Sequence, residues 1–397
     1  LLACSLLLVL AGSVLAVHYP LFDPATYYPV GNSPTSVFCA KLDGDQDNDL
    51  AVANAVSNDV SILKNNGDGT FAAAVNYGVG DYPVSVFSAD LDGDFDNDLA
   101  VVNEYSNNFS ILLNNGNATF AAAVNYGVGD HPSSVFCADL DGDNDKDLVV
   151  ANRWDNNVST LLNNGNGTFA AAVNYAAGNG PNSVFCADLD GDNDIDLAVA
   201  NDGSNNVSIL LNNGNGTFAA ADNYGAGGSP RSVFSADLDG DNDNDLAVAN
   251  WGSNNVSVLK NNGNGTFAAA VNYATVTYAD CVFCADLDGD NDNDLAVGGS
   301  YDVSILLNNG DGTFPATNNY QIPGYVGSVF AADLDGDNDN DLAVTEYYWS
   351  NVWILLNRTN TSRCGDIDAS GSVNVVDISY LVDYLFFSGP EPVCDGP

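Results

Sequence analysis

Ser183-Val184-Phe185-Cys186-Ala187-Asp188-Leu189-Asp190-Gly191-Asp192 is one copy of a segment that returns along most of the chain. The first aspartate of its acidic run falls at Asp90, Asp139, Asp188, Asp237 and Asp286, each 49 residues after the one before. A further copy opens at Asp333, 47 residues on, and the earliest copy has Lys41 in the same slot. Seven copies at a fixed period mean a repeat architecture, in which each unit buries its apolar face against its neighbours.

Each unit reads as four short strands parted by turn residues. In the fourth copy they fall at 183–189, 197–201, 207–212 and 217–224. The acidic run joins the first two. Asn213-Gly214-Asn215-Gly216, a strong hairpin signal, joins the last two. Val207-Ser208-Ile209-Leu210-Leu211 is largely apolar on both faces, as expected of sheets stacked face to face. Four-stranded units repeated radially predict an all-β fold, a seven-bladed β-propeller; a solenoid of stacked strands is the competing arrangement.

The ends of the repeat favour the ring. Phe22-Asp23-Pro24-Ala25-Thr26-Tyr27-Tyr28 matches the fourth strand Phe71-Ala72-Ala73-Ala74-Val75-Asn76-Tyr77, while the last copy stops after its third strand at 352–357. The N-terminal strand is therefore expected to complete the last blade and leave no open sheet edge. A linear array gains nothing from that offset.

Charge narrows the function. The 397 residues carry 53 acidic against 8 basic side chains, a formal charge of −45. That excludes a nucleic-acid binder, which needs Lys and Arg to neutralise phosphates, and disfavours anionic membranes. A disordered acidic chain is excluded by 46% hydrophobic and 10% aromatic residues. The charge is placed: thirty-four aspartates stand in the loops, four in the first copy and five in each of the others.

Those loops read as metal ligands. They offer Asp43, Asp45, Asp47 and Asp49, then Asp90, Asp92, Asp94, Asp96 and Asp98, then Asp139, Asp141, Asp143, Asp145 and Asp147. The fourth and fifth offer Asp188, Asp190, Asp192, Asp194 and Asp196, and Asp237, Asp239, Asp241, Asp243 and Asp245. The last two offer Asp286, Asp288, Asp290, Asp292 and Asp294, and Asp333, Asp335, Asp337, Asp339 and Asp341. Like charges this dense are unfavourable without a cation. Oxygen ligands without His or Cys select a hard cation, Ca²⁺ over Mg²⁺ for a flexible loop. Side chains at loop positions 1, 3, 5 and 9 are expected to ligate, with the position-7 backbone carbonyl completing the shell. Lys41 replaces the first carboxylate in copy one, so that loop should bind weakly or not at all.

The run Asp-Leu-Asp-Gly-Asp-Asn-Asp-Asn-Asp-Leu-Ala-Val (237–248), with Asn-Asn-Gly-Asn-Gly-Thr-Phe (261–267) after it, resembles the FG-GAP/VCBS repeats of integrin α-subunit propellers and many secreted bacterial proteins. The resemblance covers about 18–357. It implies calcium in each loop and a non-catalytic adhesion or ligand-binding role. Where that family often has Gly at loop position 6, this chain has Asn144, Asn193, Asn242, Asn291 and Asn338, but Phe95 in copy two and Gln46 in copy one. Asn tolerates the left-handed conformation; Phe and Gln tolerate it less.

After a linker at 358–363, a second unit begins. Asp366, Asp368, Ser370, Ser372, Asn374 and Asp377 fall on a 12-residue calcium-loop spacing with Gly371 at its sixth position, and 378–387 has helical apolar spacing. This small α-helical calcium-loop module, 364–397, resembles a dockerin-type repeat. Cohesin-gripping dockerins typically carry two such copies and one stands here, so a calcium-stapled tail or sorting tag competes with cohesin binding. Cys364 and Cys394 bracket the unit and are expected to pair, since so small a domain needs a staple.

At the other end, residues 6–15 form an apolar run too short to span a bilayer, closing on Val14-Leu15-Ala16. Residues 1–16 read as a signal peptide truncated at its start and cleaved after Ala16, hence a secreted or cell-surface protein. Leu1-Leu2-Ala3-Cys4 mimics a lipoprotein box, but the apolar core follows the cysteine instead of preceding it. Cys281 and Cys284, three apart on a strand, point to opposite faces and do not readily chelate one ion. Cys39, Cys137, Cys186 and Cys284 share a repeat position with Ser88, Ser235 and Ala331, which marks a small core residue. His18 and His131 are too few for a metal site, and the Asn-X-Ser/Thr sequons follow from turn composition.

Strand parity puts the acidic loops and Asn-Gly hairpins on one side and the remaining two loops of each copy on the other. The copies diverge mainly in those remaining loops: Glu104-Tyr105, Arg153-Trp154, Asp202, Trp251, Tyr301 and Tyr347-Tyr348-Trp349 in one, Tyr82, His131, Arg231, Tyr278 and Tyr325 in the other. Drift in exposed loops would favour small polar residues, whereas rings and rare Arg typify recognition surfaces. Tyr105, Arg153, Trp154, Trp251, Tyr301, Tyr348 and Trp349 are the candidate contacts to an extracellular glycan or protein. A structural subunit of an extracellular assembly, self-associating through its propellers, is the alternative. A polysaccharide-active enzyme is the third reading; no Ser-His-Asp, zinc or Cys-His constellation supports it.

Overall fold

The computed structural model describes residues 21–359. The signal-peptide reading, the 366–377 loop and the Cys364–Cys394 pairing lie outside the described residues. All regular structure within them is β, and none of it is a helix able to cross a membrane. Phe22–Asn357 forms one compact unit.

Its strands make repeated four-stranded antiparallel sheets, the blades of a β-propeller. In the fourth copy Pro181–Ala187, Asp196–Asn201, Asn206–Leu210 and Asp222–Gly225 lie in that order. Five sheets follow this pattern and a sixth has seven strands. The seven-stranded sheet arises because Thr317–Ala332 runs unbroken, pairing its first half with Ser300–Leu306 and its second with Asp341–Glu346. Ile322 and Val326 are buried along it, so the connection that turns polar in other copies stays in the sheet.

The second strand is buried at every residue in each copy, and so supplies both sheet-to-sheet interfaces. Leu50, Leu99, Leu148, Leu197, Leu246, Leu295 and Leu342 are each fully buried. Every such leucine stabilises the fold by about 2 kcal/mol before entropy is subtracted.

The fourth strand is shorter than its sequence predicts. Phe218 makes only an isolated bridge to Asn212, and regular pairing resumes at Asp222 with a one-residue slip in register. That slip is a bulge across Ala219-Ala220-Ala221. Its side chains offer little cross-strand packing to hold regular pairing.

Closure comes from the two ends of the Phe22–Asn357 unit. Thr26–Pro29 pairs antiparallel with Asn351–Leu355, Thr26 opposite Ile354, and Phe22 bridges Asn357. Inside, Phe38, Phe87, Phe136, Phe185, Phe234, Phe283 and Phe330 touch in one closed circle, with ring centroids 4.5–4.7 Å apart. Adjacent inner strands are tied by serine hydroxyls: Ser36 accepts from the Val86 amide, and Ser328 accepts from that of Val37, closing the circle. Cys281 takes the serine's place in the sixth copy. All five described cysteines are buried and unpaired, and burial raises their thiol pKa values.

Candidate functional site

Each acidic loop turns at its Gly in the fourth position, where φ is near +80° (Gly191, +82°), and all but the first turn again at position 6. The position-1 carboxylate holds the turn: Asp188 accepts from the amides of Gly191 at 2.8 Å and Asn193 at 3.0 Å. The same pair recurs at Asp90, Asp139, Asp237, Asp286 and Asp333. Lys41 supplies no such acceptor. Its ammonium donates instead to Gln46 at 2.9 Å, and Gln46 stays out of the left-handed region. Phe95 enters that region (φ +72°), with its ring 94% exposed.

Position 9 is buried and staples the loop to the sheet. Asp196 accepts from the Leu189 amide at 2.9 Å and from the Asn212 amide at 2.7 Å. Burial outweighs those bonds and pushes the group up, to about 6 for Asp196, about 7 for Asp98 and about 8 for Asp341. Burial, then the neighbouring aspartates, likewise raise the position-3 carboxyls of Asp92, Asp141, Asp190, Asp288 and Asp335.

Carboxylate oxygens converge within 4.8 Å of one another in Asp90, Asp92 and Asp94, and in Asp286, Asp288 and Asp290. Positions 1, 3 and 9 do so in Asp139, Asp141 and Asp147, in Asp188, Asp190 and Asp196, and in Asp237, Asp239 and Asp245. Within these clusters Oδ1 of Asp141, Asp239 and Asp288 is buried without a hydrogen-bond partner. The seventh loop adds Asp335 Oδ1 and Asp337 Oδ2. Orphaned carboxylate oxygens beside like charges fit a hard cation, which would satisfy both deficits. Position 7 faces elsewhere: a Cβ on Gly214 would come within 2.6 Å of Asp194 Oδ2, so that carboxylate packs on the hairpin glycine.

Two loops carry a built-in ammonium. Lys64 and Lys260 stand where other copies have Leu113, Leu162, Leu211, Leu307 and Leu356. Lys64 Nζ lies 3.4 Å from Asp43, and Lys260 Nζ 3.1 Å from Asp239, both position-3 carboxylates. Neighbouring loops are also joined. Asn212 donates to the Leu140 carbonyl at 2.8 Å, and Asn65, Asn114, Asn163, Asn261, Asn308 and Asn357 repeat the link around the circle.

The variable loops gather in pairs. Tyr82 stacks on Tyr105 at 4.3 Å, His131 on Trp154 at 3.4 Å and Trp251 on Tyr278 at 4.6 Å. Tyr301, Tyr348 and Trp349 line a hollow with Gly324. Trp154 is 62% exposed and Trp349 70%.

Between them opens a cavity of about 340 Å³, lined from every copy by the residues that precede the phenylalanine circle. Arg153 pairs with Asp202; Arg231 reaches Asp202 at 3.5 Å and Asp280 at 3.6 Å, and lies 5.2 Å over the Trp251 ring. Tyr325 hydrogen-bonds Asp280, whose burial pushes it to about 6 despite Arg231. Asn182 and Asp280 escaped the sequence reading, since only the folded circle brings those strand ends together.

The FG-GAP-like repeat matches residues 41–101, 90–150, 139–199, 188–248, 237–297 and 286–344. No curated protein matches the chain. Among solved structures, virginiamycin B lyase from Staphylococcus aureus is similar at TM-score 0.60 and 10% identity, over 84% of this chain and 98% of that one. BBS1N in complex with ARL6DN gives TM-score 0.60 at 15%, over 85% and 96%. An Agrocybe aegerita lectin that recognises non-reducing terminal N-acetylglucosamine gives TM-score 0.53 at 24%, over 73% and 80%. At these identities the likeness is one of fold, and they include an enzyme and a lectin alike. Six consecutive repeat matches across more than half its length make this chain a member of the FG-GAP-like repeat family.

Proposed function

We propose that the chain is a secreted, calcium-loaded β-propeller of seven blades that binds an extracellular glycan or protein and does not catalyse. The observation that carries the binding role is the set of stacked rings, exposed at Tyr105, Trp154 and Tyr278, beside one central cavity. Seven phenylalanines in one circle support the blade count. Orphaned carboxylate oxygens support calcium, held by positions 1, 3, 5 and 9 of loops two to seven. The ion's part is structural: it neutralises the loop on one side, while the other side recognises. Residues 364–397 add a dockerin-like calcium loop in this reading.

The test is a screen against glycans and extracellular proteins, with calcium and with chelator. A partner should appear, and replacing Trp154, Trp251 and Trp349 by Ala should abolish its binding. Undiminished binding by that triple variant removes this face from the account.

A further inference from the structure

We infer that the central cavity receives one terminal unit of a neutral glycan, with the stacked rings at its rim holding the sugars behind it. This rests on reading the aromatic side as a recognition surface, and adds the ligand's class and its point of entry.

The cavity is where the repeat stops repeating. Thr35, Val84, Ser133, Asn182, Arg231, Asp280 and Gly327 occupy one equivalent position and all line it. One residue further along, serine returns in every copy but the sixth, which has Cys281. Uniform packing beneath and seven different residues above place the variation on the cavity wall. Two of the chain's four arginines, Arg153 and Arg231, converge there.

Charge chooses the ligand. Arg153 and Arg231 are already engaged by Asp202 and Asp280, and Glu104 also lines the space. Three carboxyls against two guanidinium groups leave no surplus for a sulfated or carboxylated glycan, and the chain's −45 repels one further. A lysine ammonium answers only the surplus carboxyl and offers no acceptor to the donors of Arg153, Arg231 and Asn182. Donors on Arg153, Arg231 and Asn182 face the same space as acceptors on Glu104 and Asp280. Groups that donate and accept at once, hydroxyls above all, match such a wall. About 340 Å³ is at the small end of ligand pockets and suits a single sugar unit. The exposed faces of Trp154 and Trp349 offer apolar platforms to the C–H side of the following sugars.

The experiment measures binding of the full chain, in calcium, to immobilised oligosaccharides. Their termini are neutral glucose, galactose, mannose, N-acetylglucosamine or N-acetylgalactosamine; sialylated and sulfated glycans and a lysine-rich peptide run beside them. A neutral glycan should bind. Val84→Trp, which fills the cavity without removing a hydrogen bond, and Arg153→Gln should each weaken it at least tenfold while the melting curve confirms folding. Binding of no neutral glycan, of only the charged probes, or of neutral glycan equally by both folded variants overturns the inference. If Trp154→Ala and Trp349→Ala lose binding while both cavity variants keep it, the recognition face stands and the cavity falls. The converse pattern removes the rim and keeps the cavity.

Discussion

Lys260 Nζ stands 3.1 Å from Asp239 Oδ2, inside the acidic loop of its own copy. A tethered ammonium there competes with any ion for the same carboxylate. Exposed pairs of this kind are worth up to about 1 kcal/mol. Lys260→Leu should therefore raise divalent-ion affinity at that loop by about two- to fivefold. Calorimetric calcium titration of the variant against the parent checks this.

Stability without metal should fall as pH rises. Asp98 and Asp341 are pushed by burial to about 7 and about 8, above the ordinary carboxylate value near 4. Between roughly pH 4 and 8 the folded chain holds more protons than the unfolded one, so unfolding becomes easier as pH climbs. The contribution is complete below about pH 4 and gone above about pH 8. Calcium should reverse the trend, because ion binding favours the ionised carboxylates. Urea unfolding in chelator and in calcium, at several pH values, reads both slopes.

Asn163 donates to the Leu91 carbonyl at 2.8 Å and to the Lys146 carbonyl at 3.0 Å, joining two loops. Asn163→Ala removes both bonds, leaving the Leu91 carbonyl to the Gly167 amide and taking this donor from the Lys146 carbonyl, and should cost about 1–2 kcal/mol. The same change at exposed Asn166 should cost much less; denaturant midpoints compare the two.

Phe95 holds φ +72° with its ring in solvent. Replacing it by Asn, the residue of loops three to seven, should stabilise the chain by about 0.5–1 kcal/mol, since the strain goes and no packing is lost. A higher melting temperature for Phe95→Asn is the expected result.

Much of this was legible in the chain. The 49-residue step fixed the repeat, and the match of 22–28 to 71–77 foretold the pairing of Thr26–Pro29 with Asn351–Leu355. The convergence of carboxylates in these loops was readable because they alternate around a glycine. What stayed hidden depends on contacts between distant positions. Lys64 and Lys260 look like surface exceptions in a strand until the fold sets them beside position 3. The position-1 carboxylate's grip on the turn is a backbone contact that no residue pattern displays. The cavity needs Arg153, Arg231 and Asp280, from three copies, at one opening.

The claim on which the account depends is that divalent ions neutralise the aspartate loops and so hold the blades together. Thermal melting after exhaustive EDTA dialysis, against the same sample in millimolar calcium, tests it most directly. With several loops filled, calcium should raise the midpoint by more than about 10 °C. Coincident curves would mean that the loops fold and persist without an ion, and the account would be wrong.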